Sequence, residues 1–168
     1  MRPLIFFAIC VAAILSAGCA GYHLGPVSGA VAGGKFIEVV PFNNQTLQPR
    51  LGDAVTQALR ERMQTDGTYR LATRGPGDVV VTGVITSYHR EGVSFLRSDV
   101  TTAENYRVDI TAHVTAREGG KVLLDKNVNG YTLVQVGTDL TDAERQSLPL
   151  LAEDLARNIA ELLTEGAW

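Results

Sequence analysis

The chain has 168 residues, with 15 basic and 18 acidic side chains, a formal charge of −3 at pH 7, and only two cysteines. Without a basic excess or a clustered basic run, nothing points to nucleic acid as a partner. Two cysteines cannot build a disulfide framework, and the length suits one domain with a single core, being too short for two comfortable ones.

Arg2 and Pro3 precede the apolar run Leu4 to Leu15, which gives way to Ser16, Ala17 and Gly18. This is the charged, apolar and small-residue layout of a secretory signal peptide. The run falls short of the ~20 apolar residues that a membrane-crossing helix needs, so residues 1–18 are set aside as a cleaved signal. Cys19 follows Ala17-Gly18 directly, an arrangement that resembles a bacterial lipobox, although Ser16 stands where Leu is usual and Leu15 lies one residue further out. That resemblance implies acylation of Cys19 by palmitate-type chains, and several chains hold stably in a bilayer. Ala20, not Asp, implies sorting to the outer membrane. Cys10 leaves with the signal, so the mature chain keeps one thiol and no internal disulfide.

Removing residues 1–18 leaves 150, with 14 basic and 18 acidic side chains and a net charge of −4. That length predicts a single domain over residues 35–168. Before it, residues 19–34 are rich in Gly and Ala and read as a lipidated tether. Lys35 to Val40 predicts a strand, which Pro41 ends. Pro49 fits the first turn of a helix in which Leu51, Ala54, Val55, Ala58, Leu59 and Met63 recur at three- and four-residue steps, ending near Gly67.

Tyr69 to Ala72 reads as a short strand and Gly75-Pro76-Gly77 as a turn. Asp78 opens a long β segment to Tyr88, and a second runs from Tyr106 to Val114, alternating apolar residues with Arg107, Asp109, Thr111 and His113. Glu118-Gly119-Gly120 then predicts a hairpin into Val122 to Tyr131. Between the long strands, Arg90 to Glu104 reads either as a hairpin tip or as a mobile loop. Thr141-Asp142-Ala143-Glu144 has the form of a capping box. Leu148, Leu151, Ala152, Leu155, Ile159, Leu162 and Leu163 continue at helical spacing, with Pro149 marking a kink or the true helix start. The predicted fold is an α+β two-layer sandwich: a mixed sheet of about four strands, two helices on one face, in the order β-α-β-β-β-α. A right-handed crossover should join the first strand to the one opening near Asp78.

Signatures of catalysis are weak. Gly29 to Lys35 spells G-x4-G-K, but Phe36 follows where Ser or Thr would hold magnesium, and the motif precedes a strand. His23, His89 and His113 are scattered without a metal-binding spacing. No Gly-x-Ser-x-Gly elbow occurs, and neither Ser87 nor Ser94 has an evident base. No enzyme activity, metal or cofactor is expected.

Three passages carry a family likeness. Cys19-Ala20-Gly21-Tyr22-His23-Leu24 looks like a Cys-Gly-Tyr/Phe-x-Leu mature start with one extra residue. Val40-Pro41-Phe42-Asn43-Asn44 looks like a strand-to-helix passage, and Glu144-Arg145 with Leu148, Leu151, Ala152 and Asp154-Leu155-Ala156 looks like a closing helix. Together they resemble the lipopolysaccharide-assembly lipoproteins of the LptE family. The resemblance implies a non-enzymatic lipoprotein of the outer membrane, facing the periplasm. It would plug an LptD-type β-barrel, assist the barrel's assembly and bind lipopolysaccharide. Charge-assisted bonds to phosphate would then fall to Arg90 and Arg97 on the long loop and to Arg117, Lys121 and Lys126 around the hairpin. A competing expectation is a lipoprotein that activates a cell-wall synthase or forms part of a secretion pore. The short tether, at ~3.5 Å per residue, favours a domain kept beside the membrane.

Overall fold

The computed structural model describes residues 33–96, 99–135 and 140–165, so Cys19, the residues up to 32 that were expected to form a tether, and Arg97 lie outside the described residues. Within them, β1 (Phe36–Val39) and β2 (Asn43–Asn44) lead to α1 (Leu51–Asp66). Next come β3 (Arg70–Leu71), β4 (Val79–Leu96), β5 (Asp99–Glu118), β6 (Lys121–Gln135) and α2 (Leu140–Glu165). The sheet order is β3-β1-β4-β5-β6, with β2 on β4. β1 pairs parallel to β4 through α1, as a crossover requires, and β4, β5 and β6 form an antiparallel meander. The α+β class read from the sequence holds. β2 is an additional two-residue strand, and the short strand expected between Tyr69 and Ala72 is β3.

Period-two alternation in β5 decides the layering. Val108, Ile110, Ala112, Val114 and Ala116 are all fully buried, while the residues between them project to the opposite face. Ile37, Val39, Val79, Val81, Ile85, Leu124, Val128 and Val134 extend this apolar face across the sheet. Leu51, Val55, Leu59 and Met63 of α1 and Leu151, Leu155, Ile159 and Leu163 of α2 cover it. Each buried Leu or Ile is worth about 1.5–3 kcal/mol relative to exposure, so the stripe of spacing 3.6 against the stripe of spacing 2 fixes the fold.

Close approach of the layers demands small residues. At Gly83 the ring of Phe42 occupies the space a side chain would need, and at Gly130 an added Cβ would lie 2.8 Å from the backbone nitrogen of Leu155 in α2. The buried Thr56 hydroxyl donates to the Gly52 carbonyl at 2.7 Å and accepts from the Phe42 N–H at 2.9 Å, tying α1 to the corner after β1. The outer edge of β6 is occupied in the same way. The Asp154 carboxylate accepts from the Tyr131 N–H at 2.9 Å, and the Asn158 amide donates to the Asn129 carbonyl at 2.8 Å.

Several local expectations change. Arg90 to Glu104 is no mobile loop: of the two readings the hairpin holds, with pairing continued to Leu96 and Asp99. Register shifts at Ile85/Ser87 and from Gly92 onward mark bulges that disturb the alternation. Pro49 stands outside α1, and Arg50, left-handed at φ 61, precedes it without a side-chain cap. Asp53 in the first turn favours the helix dipole, and Gly67 at φ 78 ends the helix. Pro149 lies inside α2, which already includes Leu140, so neither Pro149 nor a box at Thr141 starts it. The Glu144 carboxylate turns to Arg90 instead.

Gly130→Ala should force α2 away from β6 and lower stability by about 1–3 kcal/mol, a loss read as a lower urea midpoint with an unchanged slope.

Candidate functional site

Because both helices cover one face, the opposite face of β4, β5 and β6 has no covering layer among the described residues. It carries Thr82, His89 and Glu91 from β4, Arg107, Asp109, Thr111 and His113 from β5, and Asn127, Asn129, Tyr131 and Leu133 from β6. Several of these side chains engage one another or a neighbour. Arg107 lies over the Tyr131 ring, 4.1 Å from its centroid, and its Nε reaches the Asp109 carboxylate oxygens at 2.9 and 3.1 Å. His113 contacts the Asn127 amide oxygen at 3.0 Å through Nδ1 and the Asp125 carboxylate at 2.8 Å through Nε2. Asn105 donates to the Ser94 hydroxyl at 2.6 Å. Tyr131 and Leu133, half or more exposed, supply apolar area within this polar surface. Sequence reading took Arg107 only as part of an alternation and missed its partnership with Tyr131. The residues are 24 apart and meet only through the β5–β6 register, in which Asp109 faces Tyr131.

The cations expected to bind phosphate do not form one cluster. Arg90 faces the helix layer, pairs with Glu144 of α2 and lies 5.7 Å from the Tyr106 ring centroid. Its hydrogen bond to Glu144 raises its pKa further and keeps it charged. Arg117 and Lys121 sit at the opposite end of the sheet, beside the Gly119-Gly120 turn. Arg90 is opposite Val108, nine residues from Arg117 along β5, or ~30 Å at 3.3 Å per residue. Lys126 is exposed on β6 with the parity of Leu124 and Val128, hence on the helix side of the edge.

Two open clefts flank the Gln45–Gln48 segment, which Asn44 organises by donating to the Gln48 carbonyl at 2.7 Å and accepting from the Thr46 N–H at 3.0 Å. One, of about 520 Å³, is lined by Gln48, Pro49, Arg50, Glu144, Arg145 and Leu148. The other, of about 470 Å³, reaches Thr86, Ser87 and Tyr88. The Tyr88 hydroxyl is buried without a hydrogen-bond partner among the described residues, and burial, with Glu144 adding to it, raises its pKa. Among the described residues no group of three His, Cys, Asp or Glu could hold a metal, and no helix is long and apolar enough to cross a membrane.

The family model described as LptE, lipopolysaccharide-assembly, matches residues 35–163, which span the sheet and nearly all of both helices. The chain belongs to the LptE family. Comparison with curated proteins gives no match. Among solved structures, a hypothetical protein of Chlamydia trachomatis superposes on this LptE-family chain with a TM-score of 0.55 at 9% identity, covering 79% of this chain and 96% of that one. A protein of Xanthomonas campestris gives 0.53 at 12%, covering 83% and 90%. A minor lipoprotein of Acinetobacter baumannii gives 0.51 at 12%, covering 77% and 92%. At such identities the likeness establishes a shared fold.

Two outcomes test this surface. A double-mutant cycle of Arg107→Ala and Tyr131→Ala should give a coupling of about 0.5–1 kcal/mol in urea unfolding, as for an exposed cation–π pair. Tyr88→Phe removes a buried hydroxyl that has no partner, and should leave the thermal midpoint unchanged or raised.

Proposed function

We propose that this LptE-family chain is an outer-membrane lipoprotein anchored through acylated Cys19. In this reading it sits within an LptD-type β-barrel, assists the barrel's assembly and helps pass lipopolysaccharide to the outer leaflet without catalysing a reaction. The observation that carries this reading is the uncovered sheet face. A large barrel has a polar lumen that must be filled. A face of Thr, Asn and His side chains, with Arg107 paired to Asp109 and His113 to Asp125, offers such a wall mostly polar and paired groups, while Tyr131 and Arg107 are residue types enriched at the centres of interfaces. A face built to close a second apolar layer would carry Val and Leu at these positions.

Lipopolysaccharide phosphates in this scheme meet Arg90 at the hairpin end; Arg97, outside the described residues, remains a second candidate, and Lys126 is a further cation on the edge. Arg90 must then exchange or share Glu144 with the incoming phosphate. Charge reversal of Arg90 and Arg97 together should weaken binding of purified lipopolysaccharide, and intact binding would remove them from the site.

The partner claim has its own measurement. Co-purification from outer membranes should recover a large β-barrel in equal amounts with this chain, and Arg107→Ala with Tyr131→Ala should lower that recovery. Recovery of a cell-wall synthase with no barrel would reject the proposal.

A further inference from the structure

The chain leaves the domain at Gly33, whose N–H donates to the Thr68 carbonyl at 3.0 Å and whose α-carbon lies beside the Arg70 side chain. Arg70 pairs with Phe36, and its N–H donates to the Lys35 carbonyl at 2.9 Å. Lys35 reaches Glu118 at 2.5 Å, and Glu118 faces Val79 on one side and Lys121 on the other. The exit point, the start of β1, the β5–β6 turn and the loop holding Arg74 therefore share one end of the sheet.

The charges at this end are sorted. Four carboxylates at this end are engaged inward: Glu118 to Lys35, Asp78 to the Phe36 N–H at 2.8 Å, Glu38 to the Gly77 N–H at 3.1 Å and Asp66 to the Thr68 N–H at 3.2 Å. Arg70, Arg74, Arg117 and Lys121 are exposed and have no carboxylate partner among the described residues. Hydrogen bonding to Glu118 raises the Lys35 pKa, so Lys35 is cationic throughout neutral pH and loses its charge only above its ordinary 10.5. Phe36 and Val122, both nearly half exposed, lie on the open face in register with Arg70 and Arg117.

We propose that, before the domain is housed in a barrel, this end docks on an anionic phospholipid surface, with Arg70, Arg74, Arg117 and Lys121 against the headgroups and Phe36 and Val122 at the interface. The inference rests on the reading of Cys19 as the anchor. Residues 20–32 can span at most ~45 Å, which holds the exit end nearest the bilayer from which the chain departs. Screened attraction acts only within ~8 Å at physiological salt, so such a tether supplies the encounter and the exposed cations supply the hold. Near an anionic surface each is worth about five-fold in the docked population, and together they orient the domain, with the β4–β5 hairpin pointing away.

The test uses the mature acylated protein reconstituted into vesicles, with a fluorophore on Thr73→Cys or, separately, on Val93→Cys, and lipids carrying a headgroup quencher. On phosphatidylglycerol-containing vesicles the label at residue 73 should be quenched and that at residue 93 should not. Neutral phosphatidylcholine vesicles, or ~1 M salt, should relieve the quenching. The combined variant Arg70→Glu, Arg74→Glu, Arg117→Glu and Lys121→Glu should lose it while still floating with the vesicles. Salt and lipid composition read the same interaction on the unaltered surface, should that variant fold poorly. Quenching at residue 73 that ignores lipid charge, or equal quenching at both positions, overturns the docking alone. Protein that fails to float with either vesicle overturns the anchor and the docking with it.

Discussion

One-sided burial governs this domain, because the row Val108, Ile110, Ala112, Val114 and Ala116 admits no solvent and both helices have to lie on that single face to keep it dry. Two layers are brought together by removing side chains where backbone or ring must approach, at Gly83 under Phe42 and at Gly130 under α2. The Thr56 hydroxyl does the complementary task with polar groups, satisfying the Phe42 N–H at a corner where the sheet offers no partner.

A sheet covered only once gives the molecule distinct surfaces. The open face is polar and partly paired within itself, through Arg107 with Asp109 and Tyr131 and through His113 with Asp125 and Asn127. Its groups are therefore ordered before any partner arrives, which lowers the entropic cost of association. The two ends differ as well. At the hairpin end Arg90 is tied to Glu144, while at the exit end several cations stand free of carboxylates. A long meander makes such a division possible, because β5 alone runs over 20 residues, or ~65 Å.

The layering was legible in the sequence because helical and strand periods are both strong here. Leu51, Val55, Leu59 and Met63 mark one helical stripe, and the alternation from Val108 to Val114 marks the sheet. The hairpin beyond Arg90 was harder to read, since bulges at Ile85/Ser87 and Gly92/Ser94 shift the phase of the alternation and leave a polar stretch that mimics a loop. β3 is legible between Tyr69 and Ala72, whereas β2, two asparagines beside a proline corner, carries no strand pattern at all. As for the candidate site, residue types pointed to basic side chains, but only strand register shows that Arg90 and Arg117 stand far apart. Likewise only the packing of α2 on the sheet reveals Glu144 as the partner of Arg90.

The side chains of α2 that close the outer edge of β6 have a bearing on how copies of this chain tolerate one another. A strand with a bare row of amide and carbonyl groups templates the addition of a sister molecule. Here Asp154 and Asn158 occupy the groups at Tyr131 and Asn129 near the middle of that row, and a carboxylate there also repels an incoming acceptor. A second molecule adding at this edge would have to displace side chains of a packed helix, so β6 is guarded along this stretch against extension by a neighbour.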